Sequence, residues 1–331
     1  MTKQSALRLV DTRTMDREQW LEVRKGGIGS SDAAAAVGLC PYKSPLELWM
    51  EKTGRTPAET TPPGMDDPRY WGTLLEPYVA VAYSQKTDRK VRRCNAVLQH
   101  PTFPFMLANI DREVVGDPEV RILECKTTGE FGSRLWKDGV PEYIQLQVQH
   151  QLAVTGHAAA DVAVLLCGQA LEIHRIPRDE DVIARLTLLE CRFWEYVTSD
   201  TPPPADGSES SGRALRQLFS GNDTSLDFTE DAGLCATFDA LAGLKAELDA
   251  REQEAERLKQ AIQQAMGDAS KAVFANGVVT FRRAKDAQVL DTKRLAADHP
   301  ALASRYTTTR SGARRFLLAQ HTQDEARRTT C

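Results

Sequence analysis

Three consecutive prolines, Pro202 to Pro204, precede a run rich in Gly and Ser in a chain of 331 residues. Proline has no backbone N–H and a fixed φ, so this run cannot continue a helix or a central strand. The break predicts a folded core over residues 1–200, a Pro/Gly/Ser-rich linker over 201–230 and an accessory region over 231–331.

The predicted core mixes strand and helix patterns. Residues 104–115 and 120–126 are rich in apolar residues and flank a turn-like Gly-Asp-Pro-Glu, which predicts an antiparallel hairpin. Residues 161–167 and 170–176 repeat this pattern around Gly168. A period of 3.6 then predicts a helix, with apolar residues at 182, 186, 189, 193 and 197. We therefore expect the first region to be mixed α/β.

The accessory region combines a helical stripe with a basic tail. From about residue 237 to 267, apolar residues recur at the spacing of an amphipathic helix or a short coiled coil. Residues 268–331 hold twelve Lys and Arg against six Asp and Glu, whereas the whole chain has a net charge of −4. We expect a long amphipathic helix followed by a small basic α/β segment.

The composition excludes several classes of protein. On an acidic chain, any site for a polyanion must be a local basic surface. The seven cysteines are scattered without a CxxC pair and the six histidines stand singly, so no disulfide framework, zinc site or iron–sulfur cluster is expected. No apolar run is long enough for a bilayer and the N-terminus lacks a signal-peptide pattern, so we expect a cytoplasmic protein without a membrane partner.

The sharpest chemical pattern is Asp111, then twelve residues, then Glu124-Cys125-Lys126. Side chains alternate along a strand, so Glu124 and Lys126 would share one face and Cys125 the other. Pairing of the predicted strands would bring Asp111 beside Glu124. Two carboxylates in a partly open site suit Mg²⁺ or Mn²⁺, and Lys126 could position or deprotonate a water molecule or stabilise developing charge. An exposed charged strand is the alternative.

Two further residues could belong to the same site, and each has a second interpretation. Glu76 lies near the start of a helix-like segment, where it could bind a metal ion or form a capping box with Thr73. Gln147 lies in a segment that alternates like a strand from 144 to 149, whereas apolar residues at 144, 148 and 152 form a helical stripe. The pattern alone leaves both questions open.

A glycine-bearing loop near the N-terminus predicts a phosphate site. Three glycines lead into Ser30, Ser31 and Asp32, then into an Ala-rich helix that Gly38 can end. Backbone N–H groups at such a helix start can hold an anion, and Arg24 and Ser31 could add further donors. The spacing is not that of a P-loop, and an ordinary turn into a small buried helix is the alternative.

Taken together and in order, these pieces resemble a known family. They are Arg24-x-x-x-Ile-Gly-Ser-Ser-Asp, Pro41-Tyr-Lys-Ser-Pro-Leu-Glu-Leu-Trp, Gly72-x-x-Leu-Glu-Pro, Asp111, Glu124-Cys-Lys and Gln147-Val-Gln-His. The chain resembles the YqaJ-type viral recombinases, in the lambda-exonuclease-like branch of the PD-(D/E)xK nucleases. The resemblance spans residues 15–200.

The resemblance implies a restriction-endonuclease-like core, with a central mixed β-sheet flanked by helices. It also implies a two-metal 5′-to-3′ exonuclease that degrades one strand of linear double-stranded DNA. The 3′ single-stranded tail would pass to a single-strand annealing protein. Related enzymes form ring-shaped homotrimers in the bacterial host cytoplasm, so the resemblance implies the same assembly and location.

Individual roles follow from the resemblance by position. Asp111 and Glu124 match the metal-binding acids, and the main-chain carbonyl of Cys125 would complete one metal shell. Lys126 matches the lysine that acts on the attacking water. Glu76 matches an acid on the preceding helix. The resemblance implies that these residues hold two Mg²⁺ ions, which Mn²⁺ could replace.

Three more positions match family residues outside this acidic set. Gln147 matches a glutamine on the helix after the motif, which favours the helical interpretation of its segment. Arg24 and Ser31 match the residues that hold the 5′-phosphate of the DNA.

Other functions stay open at this point. The chain could be a different PD-(D/E)xK endonuclease or repair nuclease, or a non-catalytic DNA-binding adaptor on the same fold. Residues after 205 extend beyond the compact family core. The 237–267 stripe could dock the annealing protein or another protomer, or residues 271–328 could grip DNA.

Overall fold

The computed structural model describes residues 6–56, 63–309, 312 and 314–319. The chain forms two compact units, Met1–Phe219 and Ser220–Cys331. The helices of the first unit are α1 (Arg17–Lys25), α2 (Ala33–Ala36), α3 (Pro45–Lys52), α4 (Pro68–Thr87), α5 (Glu130–Ser133), α6 (Glu142–Thr155), α7 (Glu180–Thr198) and α8 (Glu209–Leu218). Its strands are β1 (Leu7–Asp11), β2 (Ile28–Gly29), β3 (Lys90–Arg93), β4 (Ala96–Gln99), β5 (Met106–Ala108), β6 (Arg112–Val115), β7 (Val120–Thr128), β8 (Ala159–Leu166) and β9 (Ala170–Pro177).

Two sheets organise the first unit. The larger has five strands in the order β3-β6-β7-β8-β9, with β7 and β8 parallel and the other neighbours antiparallel. The smaller has the order β1-β4-β5-β2, and β2 pairs with β5 in parallel. The predicted fold class, a mixed α/β core whose central mixed sheet is flanked by helices, is confirmed.

The central strand β7 carries different chemistry on its two faces. Leu123 and Cys125 pack in a cluster with Tyr83 of α4. On the other face, Ile122 packs with Val148 of α6. The period of two therefore sends alternate side chains of β7 toward opposite helices, as the sequence predicted.

The first predicted hairpin is only partly correct. Residues 106–108 form β5 in the smaller sheet, whereas 112–115 form β6, which pairs with β7 in the larger sheet. The chain leaves one sheet and enters the other at Asn109–Asp111, so the prediction of one strand over 104–115 is wrong. The second hairpin, β8 with β9, and the helix α7 are confirmed.

A helix lies within the stretch for which the sequence predicted a linker. Ser208 caps α8, and the buried Ser210 accepts a 2.8 Å hydrogen bond from the backbone N–H of Ser44 at the start of α3. Ala214 joins the apolar cluster that contains Trp49. These contacts tie residues 209–218 to the first unit.

The second unit begins with a long helix. It contains α9 (Ala232–Met266), β10 (Lys271–Phe274), β11 (Gly277–Thr280), α10 (Thr292–Asp298) and α11 (Pro300–Tyr306). Strands β10 and β11 form an antiparallel hairpin. The expected long helix followed by a small α/β segment is therefore confirmed, although part of the basic tail lies outside the described residues. In the described part of the chain, no helix is long and apolar enough to cross a membrane.

Candidate active site

Glu124 is held by three donors at the centre of the first unit. It lies on β7 and is only 3% exposed. Its Oε1 accepts hydrogen bonds from Nε2 of Gln147 at 2.5 Å and from Nζ of Lys126 at 2.7 Å. Its Oε2 accepts a bond from Nε2 of Gln151 at 2.7 Å. The charge of a buried carboxylate is thus stabilised by one cation and two amides.

Gln147 and Gln151 lie one turn apart on α6, which resolves the ambiguity in the sequence. Residues four apart on a helix share a face, so both amides reach the same carboxylate. The amide oxygen of Gln147 also accepts a 3.0 Å bond from Lys126. The helical interpretation of residues 144–152 is correct, and Gln147 contacts two of the predicted site residues.

Asp111 lies beside this group because β7 holds it there. Its Oδ2 accepts a 2.8 Å hydrogen bond from the backbone N–H of Cys125. Burial, reinforced by the carboxylates of Glu124 and Glu76, raises the pKa of Asp111 to about 8, although Lys126 acts in the opposite direction. Close carboxylates in a poorly hydrated site disfavour one another's charge, which a bound cation would relieve.

Lys126 supplies the positive charge of the cluster. Burial alone would lower its pKa, but the carboxylates of Glu124 and Asp111 outweigh this effect and raise it. The side chain is therefore an ammonium group at neutral pH. As it stands, it can donate hydrogen bonds and stabilise negative charge, but it cannot accept a proton.

Glu76 lies inside α4, eight residues after Pro68. The N-cap of this helix is Asp67, so the capping-box interpretation of Thr73 and Glu76 is wrong. Oε1 of Glu76 accepts a 2.5 Å hydrogen bond from Nη1 of Arg112, whose side chain is 7% exposed. Glu76 is near enough to raise the pKa of Asp111, but its direct partner is an arginine that the sequence patterns did not single out.

The donor atoms of the cluster suit a hard divalent cation. Asp111 and Glu124 provide carboxylate oxygens, the ligands that Mg²⁺ and Mn²⁺ prefer. Burial and the nearby acids raise the pKa of the Cys125 thiol, and this side chain packs with Tyr83 on the face of β7 opposite Glu124. Cys125 could therefore contribute its main-chain carbonyl. Among the residues that the structure describes, no three acidic, histidine or cysteine side chains converge into a ready metal site. A carboxylate has about four lone-pair sites, so Glu124 could bind a cation while it keeps its hydrogen bond from Gln151.

A basic cavity of about 930 Å³ is the second feature of this unit. Its basic lining residues are Arg17, Arg24, Lys25, Lys43, Lys52 and Arg69, and its acidic ones are Asp32 and Glu51. Six cations against two carboxylates make it attractive to a phosphate group. Thr73 also lines it, one turn before Glu76 on α4, so this helix contributes to both the cavity and the acidic cluster.

Asp32 organises the wall of the cavity. Its Oδ2 accepts hydrogen bonds from Nη2 of Arg24 and Nζ of Lys52, each at 2.8 Å. Arg24 also donates a 2.9 Å bond to Oγ of Ser31. Burial would raise the pKa of Asp32, but the surrounding cations hold it well below its ordinary value. The two predicted phosphate-binding side chains are therefore brought together.

One backbone N–H of this loop already has a partner within the chain. The N–H of Gly29 is directed to Oδ2 of Asp32 at 3.3 Å, and the Ala-rich helix α2 has only four residues. Side-chain cations such as Arg24 and Lys52 add positive charge to the wall of the cavity. Gly27 serves packing, because a Cβ there would lie 2.5 Å from the carbonyl oxygen of Phe105.

The sequence patterns did not identify three residues of these sites: Lys52, Arg112 and Gln151. Gln151 follows Gln147 by four residues, so a helical assignment would have found it. Lys52 and Arg112 gave no such signal, because their partners Asp32 and Glu76 are distant in sequence.

Two comparisons with known proteins, one with a family model and one with a relative, identify the family. The YqaJ-like viral recombinase domain matches residues 19–158, a range that contains every site residue above except Arg17 of the cavity. The uncharacterized protein YqaJ of Bacillus subtilis (strain 168) is 34% identical over 306 residues, covering 91% of this chain and 93% of that protein. Among solved structures, an alkaline exonuclease from Laribacter hongkongensis has 22% identity and a TM-score of 0.47, covering 55% of this chain and 93% of that one. A phage-related exonuclease from Haemophilus somnus 129PT has 11% identity and a TM-score of 0.40, covering 53% and 96%.

Proposed function

The chain belongs to the YqaJ-like viral recombinase family, and from this premise we propose that it is a metal-dependent 5′-to-3′ exonuclease. It degrades one strand of linear double-stranded DNA and leaves a 3′ single-stranded tail. A single-strand annealing protein would take up that tail for recombination. We include in the proposal a homotrimeric assembly and action in the cytoplasm of a bacterial host.

One observation carries the proposal. Asp111 lies on a bend, and it meets Glu124 and Lys126 of strand β7 in one buried cluster. Helix α4 borders both this cluster and the basic cavity. Phosphodiester hydrolysis needs carboxylates for a cation, a positive charge for the phosphate and a place for the DNA end. The described residues supply each of these groups.

The acidic residues would hold the metal. Asp111, Glu124 and the main-chain carbonyl of Cys125 are the proposed ligands for Mg²⁺, with Glu76 as a further acid and Mn²⁺ as a substitute. Two divalent ions would supply Lewis-acid activation of the phosphate and of the attacking water. The raised pKa of Asp111 supports this role, since a buried cation would stabilise its charged form.

Lys126 and Gln147 act on the reacting groups. As an ammonium, Lys126 would donate to the water or to a phosphate oxygen and stabilise negative charge that develops there. Gln147 accepts from Lys126 and donates to Glu124, so it orients both. Neither residue needs to accept a proton in this scheme.

Arg24 and Ser31 would hold the 5′-phosphate in the basic cavity. Arg24 donates a 2.9 Å hydrogen bond to Ser31, so the two side chains are close enough for one anion to accept from both, which supports the proposal. A DNA end fixed there would enter the acidic cluster along α4. This arrangement gives a physical basis for cutting from an end with a 5′-phosphate.

Linear duplex DNA labelled at one 5′ end tests the proposal. With Mg²⁺ the full chain should release the label as mononucleotide, and EDTA should stop it. Lys126→Met should abolish release of the label. Lys86→Met is the control and should not, because Lys86 lies at the far end of α4 and its ammonium donates to the backbone carbonyl of Leu171. Opening of a covalently closed circle would instead indicate an endonuclease. Binding without any cleavage would indicate a non-catalytic adaptor.

A further inference from the structure

We propose that Gln151 is a positioning residue that sets the spacing between the two acids Glu124 and Asp111. The inference rests on the proposed function, since it assigns these acids to the metal. Gln151 is fully buried on α6. Its amide nitrogen donates to Oε2 of Glu124 at 2.7 Å and to the carbonyl oxygen of Asn109 at 3.3 Å.

The two contacts join separate parts of the site. Glu124 lies on β7 in the five-stranded sheet, whereas Asn109 begins the bend that carries Asp111 between the two sheets. One planar amide therefore connects the strand of one acid to the bend of the other. Its two N–H bonds diverge at a fixed angle, so the amide constrains the distance between these segments.

The orientation of the Gln151 amide follows from its neighbours. Both atoms that it faces, a carboxylate oxygen and a backbone carbonyl oxygen, can only accept hydrogen bonds. The NH₂ group must therefore point to them. The amide oxygen is left buried with no hydrogen-bond partner in the described structure. An unpaired buried acceptor costs free energy, so packing alone does not explain a glutamine here.

Gln147 and Gln151 donate hydrogen bonds to different oxygen atoms of Glu124. Gln147 donates to Oε1 and also contacts Lys126, which links it to the reacting groups. Gln151 donates to Oε2, and its other hydrogen bond in the described structure is to a backbone carbonyl. Its effect on the reaction must therefore pass through the placement of Glu124 and of the Asp111 bend. Residues that orient ligands in this way typically change metal affinity by about 10- to 100-fold.

The neighbouring Gln149 provides a matched control. It is also a buried glutamine of α6, but its amide bonds the backbone of Pro177 and Asp179. Gln149→Met and Gln151→Met thus remove the same group from the same helix, on different faces. Both variants should have a lower Tm than the wild type, whereas only Gln151→Met should change the affinity for Mn²⁺.

The test is Mn²⁺ binding to the full chain without DNA, measured by isothermal titration and by the electron paramagnetic resonance of free Mn²⁺. We expect Gln151→Met to weaken binding by about 10-fold or more, with Gln149→Met at the wild-type value. Gln151→Asn, whose shorter side chain withdraws the amide, should weaken binding in the same direction and serves if the Met variant does not fold.

Each other outcome overturns the inference. Wild-type affinity in a folded Gln151 variant would show that the amide does not position the acids, while the proposed nuclease would stand. Equal weakening in the Gln149 control would show a general loss of stability. No Mn²⁺ binding by the wild type would remove the metal site itself, and the proposed function would fail together with the inference.

Discussion

The backbone N–H of Cys125 donates a 2.8 Å hydrogen bond to Oδ2 of Asp111. The strand that carries Glu124 and Lys126 therefore also holds the acid that comes from a different segment. The bond uses a backbone group of β7, so it fixes Asp111 without occupying the side chains of Glu124 and Lys126.

The raised pKa of Asp111 predicts a stability that depends on pH in the metal-free protein. Between about pH 4 and pH 8 the folded state keeps a proton that the unfolded state loses, so stability falls as the pH rises through this window. Asp111→Asn has no ionisable group at this position, so it should not lose stability as the pH rises through this window. At pH 9 the variant should have a higher Tm than the wild type, and the difference should shrink toward pH 4.

Asp117→Asn is the control for this experiment. Backbone N–H groups of Val120 and Glu119 lower the pKa of Asp117, so its ionised form is the stabilising one. Its replacement should lower the Tm at pH 9. If Asp111→Asn also lowered the Tm at pH 9 as much as at pH 5, Asp111 would not carry the proposed buried charge.

Arg24→Ala should reduce the preference of the enzyme for 5′-phosphorylated ends. A hydrogen bond to a charged group contributes about 1.5–3 kcal/mol, which corresponds to roughly 10- to 100-fold in the ratio of kcat/KM for phosphate over hydroxyl ends. Arg13→Ala removes an exposed guanidinium that pairs with Asp11 outside the cavity, and it should leave the ratio unchanged. An unaltered ratio in the Arg24 variant would exclude it from phosphate binding.

Glu76→Ala should destabilise the fold because it leaves the buried guanidinium of Arg112 without its carboxylate. We expect a loss of about 1–3 kcal/mol in the free energy of unfolding by urea. Glu113→Ala breaks an exposed pair with Arg92 and should cost less than about 1 kcal/mol. If both losses are equally small, the bond between Glu76 and Arg112 is unimportant for stability.

Glu76→Gln separates this structural role from metal binding. The amide keeps an acceptor for Arg112 but removes the carboxylate charge. If Glu76 is a metal ligand, this variant should bind Mn²⁺ more weakly while its free energy of unfolding changes less than that of Glu76→Ala. Unchanged affinity would restrict Glu76 to its contact with Arg112.

The contacts of α8 predict where the chain can be shortened. Truncation after Phe219 keeps the bonds of Ser210 to α3 and should leave a folded, cleaving enzyme. Truncation after Pro204 removes them, together with the burial of Ala214, and should lower the Tm of the remaining unit by roughly 5–10 °C. Equal Tm values for the two shortened chains, measured by circular dichroism, would contradict this account of α8.

The chemistry of β7 was predictable because it depends on local periodicity. A period of two is enough to place Glu124 and Lys126 on one face and Cys125 on the other. The second hairpin and α7 follow from similar local rules. The family resemblance was needed to favour a helix around Gln147, since both periods fit that segment.

The supporting contacts of Lys52 and Arg112 were not predictable, because each depends on a partner that is distant in sequence. Lys52 follows Asp32 by twenty residues, and nothing in α3 distinguishes it from an ordinary surface lysine. Arg112 lies in β6, whereas its partner Glu76 lies in α4, 36 residues earlier in the chain. Strand β2 has two residues, too few for a pattern, although its pairing with β5 positions the loop of Ser31.

The most direct test of the central claim is the anomalous scattering of Mn²⁺ in crystals of the full chain. We predict a Mn²⁺ peak bonded to the carboxylates of Asp111 and Glu124 and to the main-chain carbonyl oxygen of Cys125. The peak should be lost in Asp111→Asn crystals. Crystals of an active enzyme that bind Mn²⁺ elsewhere, with no peak at these residues, would contradict the account.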